Sequence, residues 1–378
     1  MFLIRNVSRE KYGGGESYQI ELAKQMLKHH IRPIIFTASD KLIQVARENE
    51  IEVVRAPFFK IQNLSGIRNI LLPIYYIWQE WAFWWYKKQI RRFRPVTLNI
   101  HSRDEWIEAS REGLKIGVRV IWTVHIDFMT WVLMNVNVKY KNVIGKIILK
   151  YGEKVDKIIM ISDFERKNFD KVTNNKFRNV VTIKNGVIDE YKKYKKIEVD
   201  EKGICYVGRI VDYKGINELI LAFKKIRDDF PDARLKIYGD GEDFKKYQKI
   251  VSAEERIKMY GYTNEPLMAM AENRIFVLPS YYEGLSLSLI DAAMMGRTIV
   301  ATNVDGNPEV VEMGKTGMLV PVKSVDKLAE ALKEILENAE LRRELARGAR
   351  INYEKNFNFD KIFVEEMISL YNKEKEKK

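Results

Sequence analysis

The sequence predicts an α/β protein built from two doubly wound parallel-sheet domains facing a central cleft. Three observations lead there. At 378 residues the chain exceeds what one ordinary core accommodates. Short apolar runs alternate with helical patterns, which is how a parallel sheet covered on both faces reads. That alternation stops in a charged stretch near the middle and then starts again. A composition of 46% apolar and 31% charged residues is globular rather than disordered.

The elements follow in order. Strand-like runs fall at 2–4, 33–36, 52–54, 97–100, 118–123, 157–161 and 180–183, with helical patterns at 16–29, 41–49, 106–115 and 163–170. The charged stretch 189–203 reads as the linker. Beyond it, strands are expected at 204–207, 235–238, 257–260, 275–278, 298–301 and 318–320. Helices are expected at 214–228, 242–251, 266–272, 287–295, 308–313, 325–338 and 341–356. The domains are therefore 1–188 and 189–358. A final amphipathic segment within 359–378 carries Phe359, Ile362, Phe363, Met367 and Leu370 on one face. It packs either on the second domain or back on the first, and spacing does not choose between them. Two such domains bring their strand carboxyl ends to one cleft, where doubly wound folds bind ligands.

Glu283 and Gly284 follow the run 275–278, and Asp291 stands eight residues after Glu283 in a segment that reads as helix. Free N–H groups and the positive end of the helix dipole favour phosphate there, while carboxylates accept from hydroxyls. Helix capping by acidic residues is the plain alternative. Gly208-Arg209 and Lys214-Gly215 put two cations at a strand-to-helix corner, where they are able to neutralise a diphosphate. Gly13-Gly14-Gly15 allows close backbone approach but is not a dinucleotide fingerprint. The turn Tyr238-Gly239-Asp240-Gly241 and the start Gly306-Asn307-Pro308 read as structural. His101 and His125 each follow a strand run, where cleft residues emerge, whereas His29 and His30 end a helix. Four histidines and the single Cys205 show no ligand spacing, so no metal and no disulfide is expected.

Taken together, these pieces resemble the retaining glycosyltransferases of family 4, whose GT-B fold pairs two Rossmann-like domains. The resemblance covers essentially the whole chain. It is most specific from Ile204 to Pro321, through GRIVDYKG, IYGDGED, IKMYGYTNE, FVLPSYYEGLSLSLIDAA and GNPEVVEMGKTGMLVP. It implies that Arg209 and Lys214 bind the diphosphate of a nucleotide-sugar donor, and that Glu283 holds hydroxyls of the transferred sugar. Backbone at Gly284, Leu285 and Ser286 would meet the phosphates, Asp291 the ribose, and backbone near Tyr262 and Thr263 the base. In the first domain it implies that Gly14 and Gly15 face the donor phosphates and that His125 is the active-site histidine; His101, by its place after a strand run alone, is a candidate on the acceptor side. The family usually carries glutamate where Asp291 stands. Aspartate is one methylene shorter, which leaves room for a bridging water. The implied chemistry is metal-independent transfer with retention, by same-face attack, to a glycan or lipid-linked acceptor in cell-surface polysaccharide or glycolipid synthesis.

The stretch 69–94 holds Trp78, Trp81, Trp84 and Trp85, then Lys87, Lys88, Arg91, Arg92 and Arg94. Helical spacing puts Ile74, Trp78, Trp81 and Trp85 on one face. It reads as a core helix, an acceptor wall, or an interfacial helix on an anionic membrane. The start 1–5 is too soon polar for a signal peptide, so the expected location is cytoplasmic, peripheral on the inner face. A net charge of +13 also keeps a nucleic-acid-binding reading open, but the basic residues are dispersed and no nucleic-acid module appears. A nucleotide-sugar epimerase on the same fold is the alternative enzyme.

Overall fold

A computed structural model of the chain describes residues 1–4, 14–57, 72–101, 106–125 and 141–372, with the side chains of 2, 72–76, 141–146 and 372 outside that description. Gly13, 69–71, the Ile74 side chain and 373–378 therefore lie outside the described residues. The chain divides into two compact units, Met1–Ile183 with Phe363–Lys378, and Lys184–Ile362.

Unit one is a seven-stranded, wholly parallel sheet. Its strands are β1 (Phe2–Ile4), β2 (Ile34–Thr37), β3 (Glu52–Arg55), β4 (Thr97–Ile100), β5 (Arg119–Val124), β6 (Lys157–Met160) and β7 (Val180–Thr182), in the spatial order β3-β2-β1-β4-β5-β6-β7. Every residue of β2, β4 and β5 is buried, as expected for strands covered on both faces. The covering helices are α1 (Gly14–Lys28), α2 (Asp40–Glu48), α3 (Leu72–Phe93), α4 (Trp106–Lys115), α5 (Lys141–Gly152) and α6 (Asp163–Thr173). Ser39 and Ser162 start α2 and α6 by accepting from the Leu42 and Glu165 amides at 3.2 and 3.1 Å. One core joins Phe36, Tyr86, Trp106 and Trp122, the two tryptophans stacked 5.0 Å apart.

Unit two is a six-stranded parallel sheet in the order β10-β9-β8-β11-β12-β13. Its strands are β8 (Asp200–Val207), β9 (Arg234–Tyr238), β10 (Ile257–Gly261), β11 (Asn273–Leu278), β12 (Thr298–Thr302) and β13 (Met318–Val320). The helices are α7 (Tyr191–Tyr194), α8 (Ile216–Ile226), α9 (Phe244–Ile250), α10 (Pro266–Ala271), α11 (Leu287–Met294), α12 (Asn307–Val310), α13 (Val325–Glu337) and α14 (Ala339–Asn356). In each sheet the first strand lies between the second and the fourth. The switch points where such sheets bind ligands are thus β1/β4 and β8/β11. The doubly wound parallel architecture expected from the alternation is what the chain adopts.

Four details differ from expectation. The stretch 189–203 is not a free linker: it forms α7 and the start of β8, and Arg350 clasps Asp189 at 2.6 and 3.1 Å and lies over the Tyr191 ring. Lys214 does not open a helix but ends a 3₁₀ turn, Asp212–Lys214, before α8. Gly14 and Gly15, expected in a loop, are the first two residues of α1. The C-terminal segment runs through α15 (Phe359–Ile362), a π turn Phe363–Met367 and α16 (Ile368–Asn372). The wider turn keeps Phe359, Phe363, Met367 and Tyr371 buried at intervals of four, so Tyr371 takes the place expected of Leu370. From Phe363 onward the segment belongs to unit one, where Asn99 donates to the Tyr371 hydroxyl at 3.0 Å and Tyr18 donates to the Met367 sulfur at 3.8 Å.

Candidate functional site

The site in unit two is assembled at the β8/β11 switch point, by backbone contacts that only glycine permits. Gly215 has φ +69°, and a Cβ there would sit 2.0 Å from the Pro279 carbonyl oxygen. The turn after β8 therefore lies directly on the end of β11. This brings Lys214 to Glu283, with Nζ 2.5 Å from Oε1 and the two side chains 13% and 10% exposed. Ser280 Oγ donates to the same oxygen at 2.7 Å, while Oε2 takes no donor among the described residues. The Glu283 amide donates to Asp305 at 2.7 Å. Behind it, a Cβ on Gly306 would meet the Gly284 carbonyl oxygen at 2.0 Å, so the loop after β12 braces the turn. The contact between a nearly buried cation and a nearly buried carboxylate offsets part of the cost of removing both from water. One carboxylate oxygen remains to accept a hydroxyl.

Arg209 is exposed on the same turn, and its guanidinium donates to the Tyr213 hydroxyl at 2.6 Å. Tyr213 stacks on Tyr282 at 4.5 Å, and Lys214 Nζ lies 5.5 Å from the Tyr213 ring centre. This tyrosine pair links the two turns and was not foreseen from the sequence. Its signal was the matched tyrosines preceding Lys214-Gly215 and Glu283-Gly284. Tyr206 donates to the Arg209 carbonyl at 2.8 Å. Burial, then the Glu283 charge, holds its phenol well above the ordinary value, so it remains a donor.

The remaining residues fan out from this corner. Leu285 and Ser286 are buried in the turn, and Ser286 stands at the N-cap of α11 without a side-chain cap bond. The first-turn amides and the positive end of the helix dipole are thus not closed by that side chain. Asp291 is half-buried on the α11 side that carries Leu287 and Ser288, about 6 Å along the axis from the helix start. Tyr262, 61% exposed, and Thr263 follow the edge strand β10. Two strand spacings, about 10 Å, separate β10 from β8. Thr263 Oγ1 accepts from the Glu265 amide at 3.0 Å and shapes the turn into α10.

In unit one, His101 and His125 end the adjacent strands β4 and β5. Their rings lie nearly parallel, 5.1 Å apart, with His101 Nδ1 and His125 Nε2 sharing a hydrogen bond of 2.8 Å. Tyr18 of α1 packs against both. The sequence flagged the two histidines separately, and the structure makes them one unit. Gly14 is exposed and Gly15 half-buried at the start of α1. No three His, Cys, Asp or Glu side chains gather as a metal-binding set among the described residues.

Comparison with known proteins now bears on this geometry. Residues 12–191 match the family described as Glycosyltransferase Family 4, and residues 187–352 match Glycosyl transferases group 1. A capsular polysaccharide biosynthesis glycosyltransferase of Staphylococcus aureus is 27% identical over 232 residues, covering 60% of this chain and 61% of the relative. An uncharacterized glycosyltransferase of Methanocaldococcus jannaschii is 30% identical over 238 residues, covering 60% of each chain. The matched region thus spans about three fifths of the length of these curated relatives. Among solved structures, Anabaena HepE in complex with UDP superposes with a TM-score of 0.74 at 16% identity, over 98% of this chain and 99% of that one. At that identity the likeness is one of fold.

Proposed function

The chain belongs to the group 1, family 4 glycosyltransferases and has their GT-B fold, and from that premise we propose that it moves a hexose-type sugar from a nucleotide-sugar donor to a glycan or lipid-linked acceptor, with retained anomeric configuration. The observation that carries the reading is the Lys214–Glu283 pair at the β8/β11 switch point, with Arg209 beside it. A cation that is charge-balanced before ligand arrives is able to exchange its carboxylate partner for a phosphate oxygen. Glu283 then turns to hydroxyls of the sugar attached to that phosphate.

In this mechanism Lys214 and Arg209 stabilise charge that grows on the departing diphosphate, which is the largest single electrostatic contribution. The amides of Gly284, Leu285 and Ser286, in the turn that leads into α11, add to it. Asp291 lies toward the ribose, and the backbone at Tyr262 and Thr263 toward the base. His125, its ring held by His101, orients the sugar. The acceptor oxygen attacks C1 from the face the phosphate leaves. As the C1–O(acceptor) bond forms, the C1–O(phosphate) bond breaks, and the acceptor proton passes to a leaving-phosphate oxygen. A relative acting in capsular polysaccharide biosynthesis supports a cell-surface glycan as the product.

The test is incubation with UDP-, GDP- and ADP-sugars, with and without glycan or glycolipid acceptors, and NMR of the product linkage. Acceptor-dependent release of nucleoside diphosphate and an unchanged anomeric configuration are expected. Inverted product overturns the mechanism. Interconversion of free sugar nucleotide without acceptor replaces the reading with an epimerase.

A further inference from the structure

The aromatic and basic helix α3 takes no part in the transfer chemistry, and its structure separates its tryptophans into two sets. Trp78 and Trp85 pack inward against the core with Ala82, Tyr86 and Ile90, and Trp85 meets Phe36 edge-on at 5.8 Å. Trp81 and Trp84 point outward, 47% and 59% exposed, in line with Ile77 at 71%. The expected single face of Trp78, Trp81 and Trp85 is thus divided. The outward stripe Ile77, Trp81, Trp84, Lys88 advances by four, three and four residues, which is one side of a helix.

The charge on this side is one-signed. The single acid on the described part of α3, Glu80, is taken by Arg111 at 2.6 Å, and Arg91 is taken by the buried Glu112 at 2.7 Å. Lys87 lies over the Trp84 ring at 4.0 Å. Lys87, Lys88 and Arg92 have no acidic partner among the described residues. Two solvent-facing indoles flanked by unneutralised cations form an energetically poor water surface. They match the headgroup layer of an anionic bilayer, where indole rings sit at the interface and cations meet lipid phosphates.

We propose that the Ile77–Trp81–Trp84 stripe of α3, with Lys87, Lys88 and Arg92, is a docking surface for an anionic lipid bilayer. No helix of the described residues is long and apolar enough to cross a membrane, so the helix lies in the interface plane. The connection from β3 to β4 runs α3 antiparallel to the strands. The apolar end of the stripe is therefore toward the strand carboxyl edge of unit one, where His101 and His125 stand. A lipid-borne acceptor would arrive at that edge. Charge decides between occupants: a protein partner or a second copy would have to supply an acidic face, whereas the lipid surface supplies it continuously.

The experiment is flotation of the full chain with phosphatidylcholine vesicles and with vesicles also containing phosphatidylglycerol, at low and high salt. Binding needs neither donor nor turnover, so its failure is distinct from failure of the transferase reading. Recovery is expected with the anionic vesicles at low salt, falling as salt rises. The double variants Trp81→Ala/Trp84→Ala and Lys87→Glu/Lys88→Glu each weaken partitioning by about tenfold or more. All four side chains lie outside the core, so melting temperatures within a few degrees of wild type accompany the loss; if the tryptophan variant unfolds, the lysine pair decides. The proposal is overturned by no recovery of the wild-type chain on anionic vesicles, or by undiminished recovery of the lysine variant. It is also overturned if the tryptophan variant converts a dimer to a monomer on size exclusion, which would give the face to a second copy.

Discussion

Lys214 and Arg209 differ in burial, and that difference separates their roles experimentally. Lys214→Ala leaves the Glu283 carboxylate, 10% exposed, without its cation. It is expected to cost about 3 kcal/mol of stability, the scale for an uncompensated buried charge, as well as roughly 100-fold in kcat. Arg209 is exposed, so Arg209→Ala is expected to lower kcat by a similar factor while stability moves by no more than about 0.5 kcal/mol. Denaturant titration beside steady-state kinetics checks both; equal stability losses in the two variants would contradict the pairing. On the role proposed for His125, His101→Ala, which removes one of the contacts on its ring, is expected to lower kcat about tenfold with little change in the donor KM. Their positions were legible in the sequence: Arg209, Lys214, Glu283 and both histidines stand after strands. Their contacts were not. Lys214 and Glu283 are 69 positions apart, and nothing in either neighbourhood encodes that the chain folds one onto the other.

At the scale of elements, the corner depends on Gly215. Its left-handed backbone and the 2.0 Å approach to Pro279 leave no space for a methyl group. Gly215→Ala is expected to destabilise by about 2 kcal/mol or more and to weaken donor affinity, since Lys214 moves with the turn. A denaturation midpoint unchanged from wild type would remove that argument. The strands were readable because buried parallel strands are short, β-branched and bounded by turns. Faces of helices were harder to read. Helix α3 is apolar nearly all round, so spacing alone does not say whether Trp81 or Trp78 points inward. Helix α5 is not legible in the sequence because its short apolar run, interrupted by Gly145, fits strand and helix alike. The C-terminal face shifted by one residue because the π turn at Phe363–Met367 has a period that an α-helical reading does not contain.

At the scale of the whole molecule, donor binding should be felt throughout unit two. Cys205 lies in β8, an interior strand of the sheet, and burial pushes its thiol up to about 12. Alkylation therefore waits for unit two to open. Saturating donor at about 100 times its Kd should slow labelling about 100-fold, the kinetic counterpart of about 2.7 kcal/mol of added stability. Fast labelling of the native chain would contradict the buried placement. The central claim is that the Arg209–Lys214–Glu283 corner holds the diphosphate and sugar of a nucleotide-sugar. It is tested most directly by calorimetric titration of wild type, Arg209→Ala and Glu283→Gln with UDP-, GDP- and ADP-sugars, the matching nucleoside diphosphates and the matching nucleosides, at a temperature where all three proteins are folded. One nucleotide-sugar should bind the wild type well above its nucleoside, with affinity falling about tenfold or more in Arg209→Ala and the preference for the sugar-bearing ligand over the bare diphosphate falling in Glu283→Gln. Binding of none of these donors, or equal binding by all three proteins, would contradict the account.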